Sequence, residues 1–192
     1  MIYYPIFLNL KNKRVLLLGG GKVALRKAKS LIQSGARLSV ISRDFSNAFI
    51  QFAKAKKIKF KKGSQIPKRL QNFSLVVAAT SDADFNKSVY QICSRRGIWV
   101  NAVDDPKNSS FIVPSVIRRG SLQIAISTGG ASPVLAKLLR KKFETELDTN
   151  YTKLVRFLKK ERLNIKKNMS NIKNRRTYFT KLVKSKLKQV NK

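Results

Sequence analysis

The chain alternates two kinds of apolar pattern. Val15 to Leu18 form a continuous apolar run, as a strand buried on both faces should. After three glycines the spacing changes: Val23, Ala24, Ala28, Leu31 and Ile32 recur at helical intervals, and Gly35 is a C-terminal stop signal. "ARLSVIS" (36–42) supplies a second strand. The pattern then predicts a helix in 45–56, a short strand in "KIKFKK" (57–62), a strand in "SLVVAAT" (74–80), a helix in 83–96 and a strand in "IWVNAV" (98–103). Strands alternating with helices predict right-handed crossovers and a parallel sheet, the α/β class.

After Pro106 the rhythm changes. "SSFIVPSVIRRGSLQIAISTGG" reads as two β segments joined at Arg119-Gly120. A helix follows in "SPVLAKLLRKKFETEL", with Ser132 as cap and Pro133 in its first turn. Residues 151–192 keep helical spacing (Leu154, Phe157, Leu158; Tyr178, Leu182) on a strongly basic background.

Composition removes several chemistries. The 192 residues include no histidine, which excludes Ser-His-Asp, Cys-His and His-zinc arrangements. Proton transfer near neutral pH is left to carboxylate, Lys, Tyr, Cys or water, and an aspartate leads that list. Cys93 is the only cysteine, so no intrachain disulfide forms and a reducing compartment fits. No apolar run approaches the ~20 residues of a membrane span. "MIYYPIFLNLKNK" lacks signal-peptide features, so a cytoplasmic protein with no membrane partner is expected.

Forty-two basic against nine acidic residues give a net charge of +33. Residues 1–113 carry 21 basic and 5 acidic side chains, 114–150 carry 6 and 3, and 151–192 carry 15 and 1. An excess present in all three regions rather than in one patch reads as compositional drift more than as a nucleic-acid face, and nucleic acid is not the expected partner. A basic field still draws in polyanionic small substrates.

"GGGKVA" (19–24) fits G-x-G-x-x-A between strand and helix. Gly19 permits the tight turn, Gly21 lets a pyrophosphate approach the backbone, and Ala24 keeps the helix close to the sheet. The amides around Lys22 and Val23 open the helix, where free N–H groups and the dipole favour anions. Asp44 lies roughly 20 residues beyond, the offset of a ribose-binding acid, with Arg43 beside it. Arg43 equally suits a 2′-phosphate, so the pattern leaves NAD against NADP open. Ala79 and Thr80 fall at a strand's carboxyl edge, where ligands bind.

Taken together and in order, the glycine turn, "AATSDADFN", "NAVDDP", "FIVPSVIRRG" and "ISTGGASPVLAKLLR" resemble the precorrin-2 dehydrogenase/sirohydrochlorin ferrochelatase family, including the N-terminal module of siroheme synthase. The likeness runs over essentially the whole chain, "YPIFLNLKNKRVLLLGGGKVALRKA" and "NRRTYFTKLV" included. It implies NAD-dependent oxidation of precorrin-2 to sirohydrochlorin, followed in many members by ferrous iron insertion to give siroheme. It also implies a homodimer of three parts: a Rossmann NAD-binding domain at 1–113, a small α+β dimerisation region at 114–148, and a basic helical C-terminal region at 149–192. The family favours NAD over NADP. The fused methyltransferase module of trifunctional relatives is not expected, so precorrin-2 must come from another protein.

Asp104 and Asp105 sit side by side in "NAVDDP". The resemblance gives Asp104 the role associated with both activities. A carboxylate at a strand's carboxyl end is placed to take the proton that leaves as hydride goes to NAD⁺. In metal insertion it would take pyrrole N–H protons or hold iron briefly, with no fixed metal site. Asp105, before Pro106, reads as turn chemistry, and Asn101 as a brace for the loop. Ser127, Thr128 and Gly129 precede a helix start that would bind substrate carboxylates or simply cap it. Some relatives carry a phosphorylated serine at the position of Thr128. Arg118, Arg119, Lys137 and Arg140 are further carboxylate contacts to consider. The alternatives are a dehydrogenase alone, a non-catalytic NAD-binding or metabolite-sensing module, and a nucleic-acid binder using the basic tail.

Overall fold

The computed structural model describes residues 3–190. The outermost positions of the expected first and last regions, 1–2 and 191–192, lie outside them. The chain forms two compact units, Met1–Ile112 and Val113–Lys192.

In the first unit, five strands alternate with helices: β1 (Arg14–Leu18), α1 (Lys22–Gln33), β2 (Arg37–Ser42), α2 (Asn47–Ala55), β3 (Lys59–Lys62), β4 (Leu75–Ala78), α3 (Ala83–Arg95) and β5 (Trp99–Ala102). All pairings are parallel, in the order β3-β2-β1-β4-β5. The fold is the Rossmann-type α/β sheet expected from the pattern. The order reverses direction between β1 and β4, which opens a crevice at the strands' carboxyl ends.

The continuous apolar runs serve both faces. Val15 and Leu17 of β1 point to one core with Val40, Val77, Ala24, Ala28 and Phe49. Leu16 and Leu18 point to the other with Val76, Ala78, Val89, Cys93 and Val100. Ala24 and Ala28 have short side chains, so α1 lies close against the sheet. β3 is an edge strand, and its Lys59, Lys61 and Lys62 leave that edge charged, which opposes edge-to-edge pairing. Phe49 is fully buried under this sheet. Phe49→Ala is expected to cost about 3–5 kcal/mol of stability, read as a lower urea midpoint with an unchanged slope.

The second unit starts with an antiparallel pair, β6 (Ser115–Arg119) and β7 (Leu122–Ile126). α4 (Pro133–Glu146) follows, with Ser132 Oγ accepting from Leu135 N at 3.1 Å and Pro133 in the first turn. Arg119 closes the far end of α4: its guanidinium donates to Leu147 O (2.5 Å) and Glu144 O (2.8 Å), carbonyls the helix cannot satisfy itself. Arg140 pairs with Glu144. Two of the arginines considered as substrate contacts are therefore engaged inside this unit. The basic tail is two helices, α5 (Asn150–Asn168) and α6 (Ile172–Val190). Asn171 Oδ1 accepts from Asn174 N (3.1 Å), a capping bond that starts a new helix where spacing alone ran on.

Candidate cofactor and active site

A cleft of about 540 Å³ opens at the carboxyl ends of β1, β2, β4 and β5. Gly19, Gly20, Gly21, Lys22 and Val23 line one wall, Arg43 and Asp44 a second, Ala79, Thr80 and Asp82 a third, with Asp104 beside them. Every cofactor residue expected from sequence, and the expected catalytic aspartate, borders this cavity.

The glycine turn is built by steric exclusion on one side and openness on the other. Gly19 has φ +120°, and a Cβ there would lie 2.3 Å from Ala79 O. A Cβ on Gly20 would lie 2.3 Å from Asp44 O. Among the described residues nothing stands within 4 Å of a Cβ on Gly21, so that position faces open cleft. Gly21 is also the N-cap of α1 and has no side chain to offer its amides. Leu25 N donates to Gly21 O (2.9 Å), which leaves the amides of Lys22, Val23 and Ala24 ahead of the helix ladder. Bare first-turn amides beside an unobstructed backbone suit a pyrophosphate. The residues present therefore fit a dinucleotide.

The β4 wall is held by a residue that the sequence pattern does not single out. Asn86, nearly buried on α3, donates from Nδ2 to Thr80 O (3.0 Å), and Thr80 Oγ1 donates to Asn86 Oδ1 (2.7 Å). Its place at the end of "AATSDADFN" is the one signal pointing to it. Asp82 is a second such residue. Its Oδ1 caps α3 through Phe85 N (2.9 Å) and its Oδ2 accepts from Arg43 Nη2 at 2.5 Å. That backbone bond first, then Arg43, hold the Asp82 carboxyl below its ordinary range. Asp44 meets Lys62 Nζ at 3.4 Å across the β2–β3 edge.

Asp104 is exposed and adopts φ 64°, a left-handed backbone uncommon outside glycine. Asp105 N donates to Ala102 O (3.2 Å), closing the turn around it, and the neighbouring segment braces the strand end. Ser109 Oγ bonds Ala102 N and O (2.9 and 3.1 Å), and Asn101 Nδ2 donates to Phe111 O (3.1 Å). Asp105 serves the turn, with Oδ1 accepting from Asn108 N (3.1 Å) and Oδ2 from Asn108 Nδ2 (2.6 Å). Lys27 of α1 feels the Asp104 carboxylate, which partly offsets the lowering of its pKa by burial and by Arg26. Cys93 is no rival nucleophile: it is buried, and burial pushes its thiol up to about 11. Among the described residues no group of three acidic or cysteine side chains could hold a metal ion.

Ser127, Thr128 and Gly129 belong to the second unit, between β7 and α4. There Gly129 N donates to Ser127 Oγ (3.1 Å) and Ser132 N to Thr128 Oγ1 (3.0 Å), so both hydroxyls shape the loop.

Residues 6–115 match the family model described as putative NAD(P)-binding, and residues 119–146 match the model of the central part of sirohaem biosynthesis proteins. The chain belongs to this NAD(P)-binding family. Its relatives include siroheme synthase 3 of Aeromonas hydrophila (42% identical over 95% of this chain) and siroheme synthase 1 of Aeromonas salmonicida (43% over 95%). Siroheme synthase 2 of Yersinia enterocolitica is 40% identical over the same share. The match spans 39% of the length of each of these relatives. The solved structure of SirC, a precorrin-2 dehydrogenase, superposes with a TM-score of 0.77 at 28% identity, covering 94% of this chain and 89% of that one. Both the family and the fold thus agree with the resemblance drawn from sequence. Among the described residues no helix is long and apolar enough to cross a membrane.

Proposed function

We propose that the protein oxidises precorrin-2 to sirohydrochlorin with NAD⁺, Asp104 accepting the proton. The observation that carries this reading is the presence of Asp104, exposed in a braced left-handed turn, on the same cleft as the glycine turn. A strained backbone held by its surroundings is the kind found at working sites. In this reading Gly19, Gly21, Lys22 and Val23 receive the pyrophosphate, Arg43 and Asp44 flank the adenine-side ribose, and Ala79 and Thr80 border the nicotinamide. Bound NAD⁺ supplies the hydride acceptor. The Asp104 carboxylate then takes the proton that departs from the tetrapyrrole carbon framework and passes it to water. One hydride and one proton leave the substrate, giving NADH and H⁺.

Substrate carboxylates would meet Ser127, Thr128 and Gly129, and the basic surface favours the approach of such a polyanion. A homodimer through 114–148 is supported by α4, which exposes Val134, Leu135 and Leu138. We extend the proposal to ferrous iron insertion as a second step, with iron as substrate and Asp104 receiving the pyrrole protons. A cytoplasmic setting fits the lone buried thiol.

The test is anaerobic: purified protein, enzymatically made precorrin-2 and NAD⁺, following NADH and sirohydrochlorin, then adding ferrous iron. Turnover in the first stage is expected, with siroheme in the second formed faster than without protein. A folded protein that binds NAD⁺ but does not turn over would replace the proposal with a metabolite-sensing module. Turnover without siroheme would confine it to the dehydrogenase.

A further inference from the structure

The chain has nine acidic residues against 42 basic ones, yet three of the nine, Asp44, Asp82 and Asp104, line the same cleft. Asp104 has a role in the proposed chemistry and Asp44 sits at the ribose offset. Asp82 has neither, although it makes the shortest ion pair of the cleft.

Arg43 follows β2, where an arginine would meet the 2′-phosphate of NADP. In this structure its Nη2 is 2.5 Å from Asp82 Oδ2, across the mouth of the cleft from β2 to the start of α3. Asp82 is itself fixed, because its other oxygen caps α3 through Phe85 N. The second cation at this end, Lys62, faces Asp44. Arg43, the cation that lines the cleft after β2, is therefore opposed by a carboxylate, and so is Lys62 at the end of the adjoining strand. A phosphate arriving there would have to displace Asp82 from Arg43 and then remain beside an uncompensated like charge.

We propose that Asp82 is a specificity-determining residue, which by engaging Arg43 sets the cleft for a dinucleotide with a free 2′-hydroxyl and against one with a 2′-phosphate. The inference rests on the reading of this cleft as a dinucleotide site and assigns the origin of its selectivity. Arg43 is not removed by the pairing. Its guanidinium is held at the rim, where a ribose hydroxyl can still bond it or Asp44. In a chain so rich in lysine and arginine, a cation left unopposed at the β2 end would be the ordinary outcome, and it would favour the phosphorylated form.

The test is calorimetric titration of the full chain with NAD⁺ and, separately, NADP⁺, with no turnover required. Wild-type protein is expected to favour NAD⁺. Asp82→Asn keeps a side-chain oxygen to cap Phe85 N and frees Arg43. The preference should move toward NADP⁺ by about tenfold or more, the scale of one regained hydrogen bond between charged groups. Asp82→Ser, which also keeps a capping oxygen, should move it the same way. Adding Arg43→Ala to Asp82→Asn should abolish the gain. A ratio within about twofold of wild type in both single variants, or a gain that survives loss of Arg43, overturns the proposal while NAD⁺ binding leaves the cofactor reading intact. Wild-type protein that binds neither dinucleotide overturns that reading and this inference together.

Discussion

Asp104→Asn is expected to lower kcat/KM for precorrin-2 oxidation by about 10²–10⁴-fold, the usual contribution of a positioned general base. Asparagine is the informative replacement. It has nearly the same shape, tolerates a left-handed φ, and removes the charge and with it the ability to accept a proton. Alanine would add backbone strain on the order of 1 kcal/mol and blur the reading. Because Asp104 is exposed, its loss from the surface should leave the unfolding midpoint nearly unchanged. The expected pattern is thus an intact fold with a collapsed rate, and Asp104→Ala should show the same rate loss. Full activity in Asp104→Asn would remove the carboxylate from the mechanism. The neighbouring Asp105 gives the internal control. Its carboxylate holds the Asn108 turn, and Asn108 leads the interactions that keep its carboxyl below the ordinary range. Asp105→Asn should therefore act on loop order more than on chemistry.

The sheet was legible because strands buried on both faces must be apolar throughout, and "VLLL" and "LVVA" are. The phosphate-facing turn was legible because three adjacent glycines between strand and helix strip the backbone of side chains where an anion must come close. What stayed hidden depends on residues distant in sequence that meet only in the fold. Arg43 and Asp82 are 39 positions apart, and neither betrays the other. Asn86 reads as an ordinary helix residue until its amide is seen holding Thr80. Aspartate tolerates a left-handed φ, but the bond that closes the turn at Asp104, from Asp105 N to Ala102 O, and the Ser109 contacts flanking it are visible only in the fold. Motif residues were thus readable one by one, whereas the contacts that position them were not.

The three glycines carry the second large effect, and they should divide by physical cause. Gly19→Ala places a methyl 2.3 Å from a backbone oxygen, at a φ of +120° that L residues rarely adopt. Strain of about 1–3 kcal/mol adds to an overpacking cost of about 1–3 kcal/mol, so a loss of several kcal/mol is expected. Gly20→Ala meets Asp44 O at 2.3 Å and should be comparably damaging without the φ penalty. Neither obstacle is the movable end of a side chain. Gly21→Ala is the opposite case: φ is −85°, and its methyl would enter open cleft. The change there should alter stability by no more than about 1 kcal/mol, the range for an N-cap substitution. Binding of NAD⁺ should nonetheless weaken by at least about tenfold, since the methyl occupies the approach of the pyrophosphate to the backbone. Urea unfolding and NAD⁺ titration of the three variants separate the two roles. If Gly21→Ala bound NAD⁺ as wild type does, the pyrophosphate would have to lie elsewhere. The orientation assigned to the cofactor would fall, whatever became of the fold.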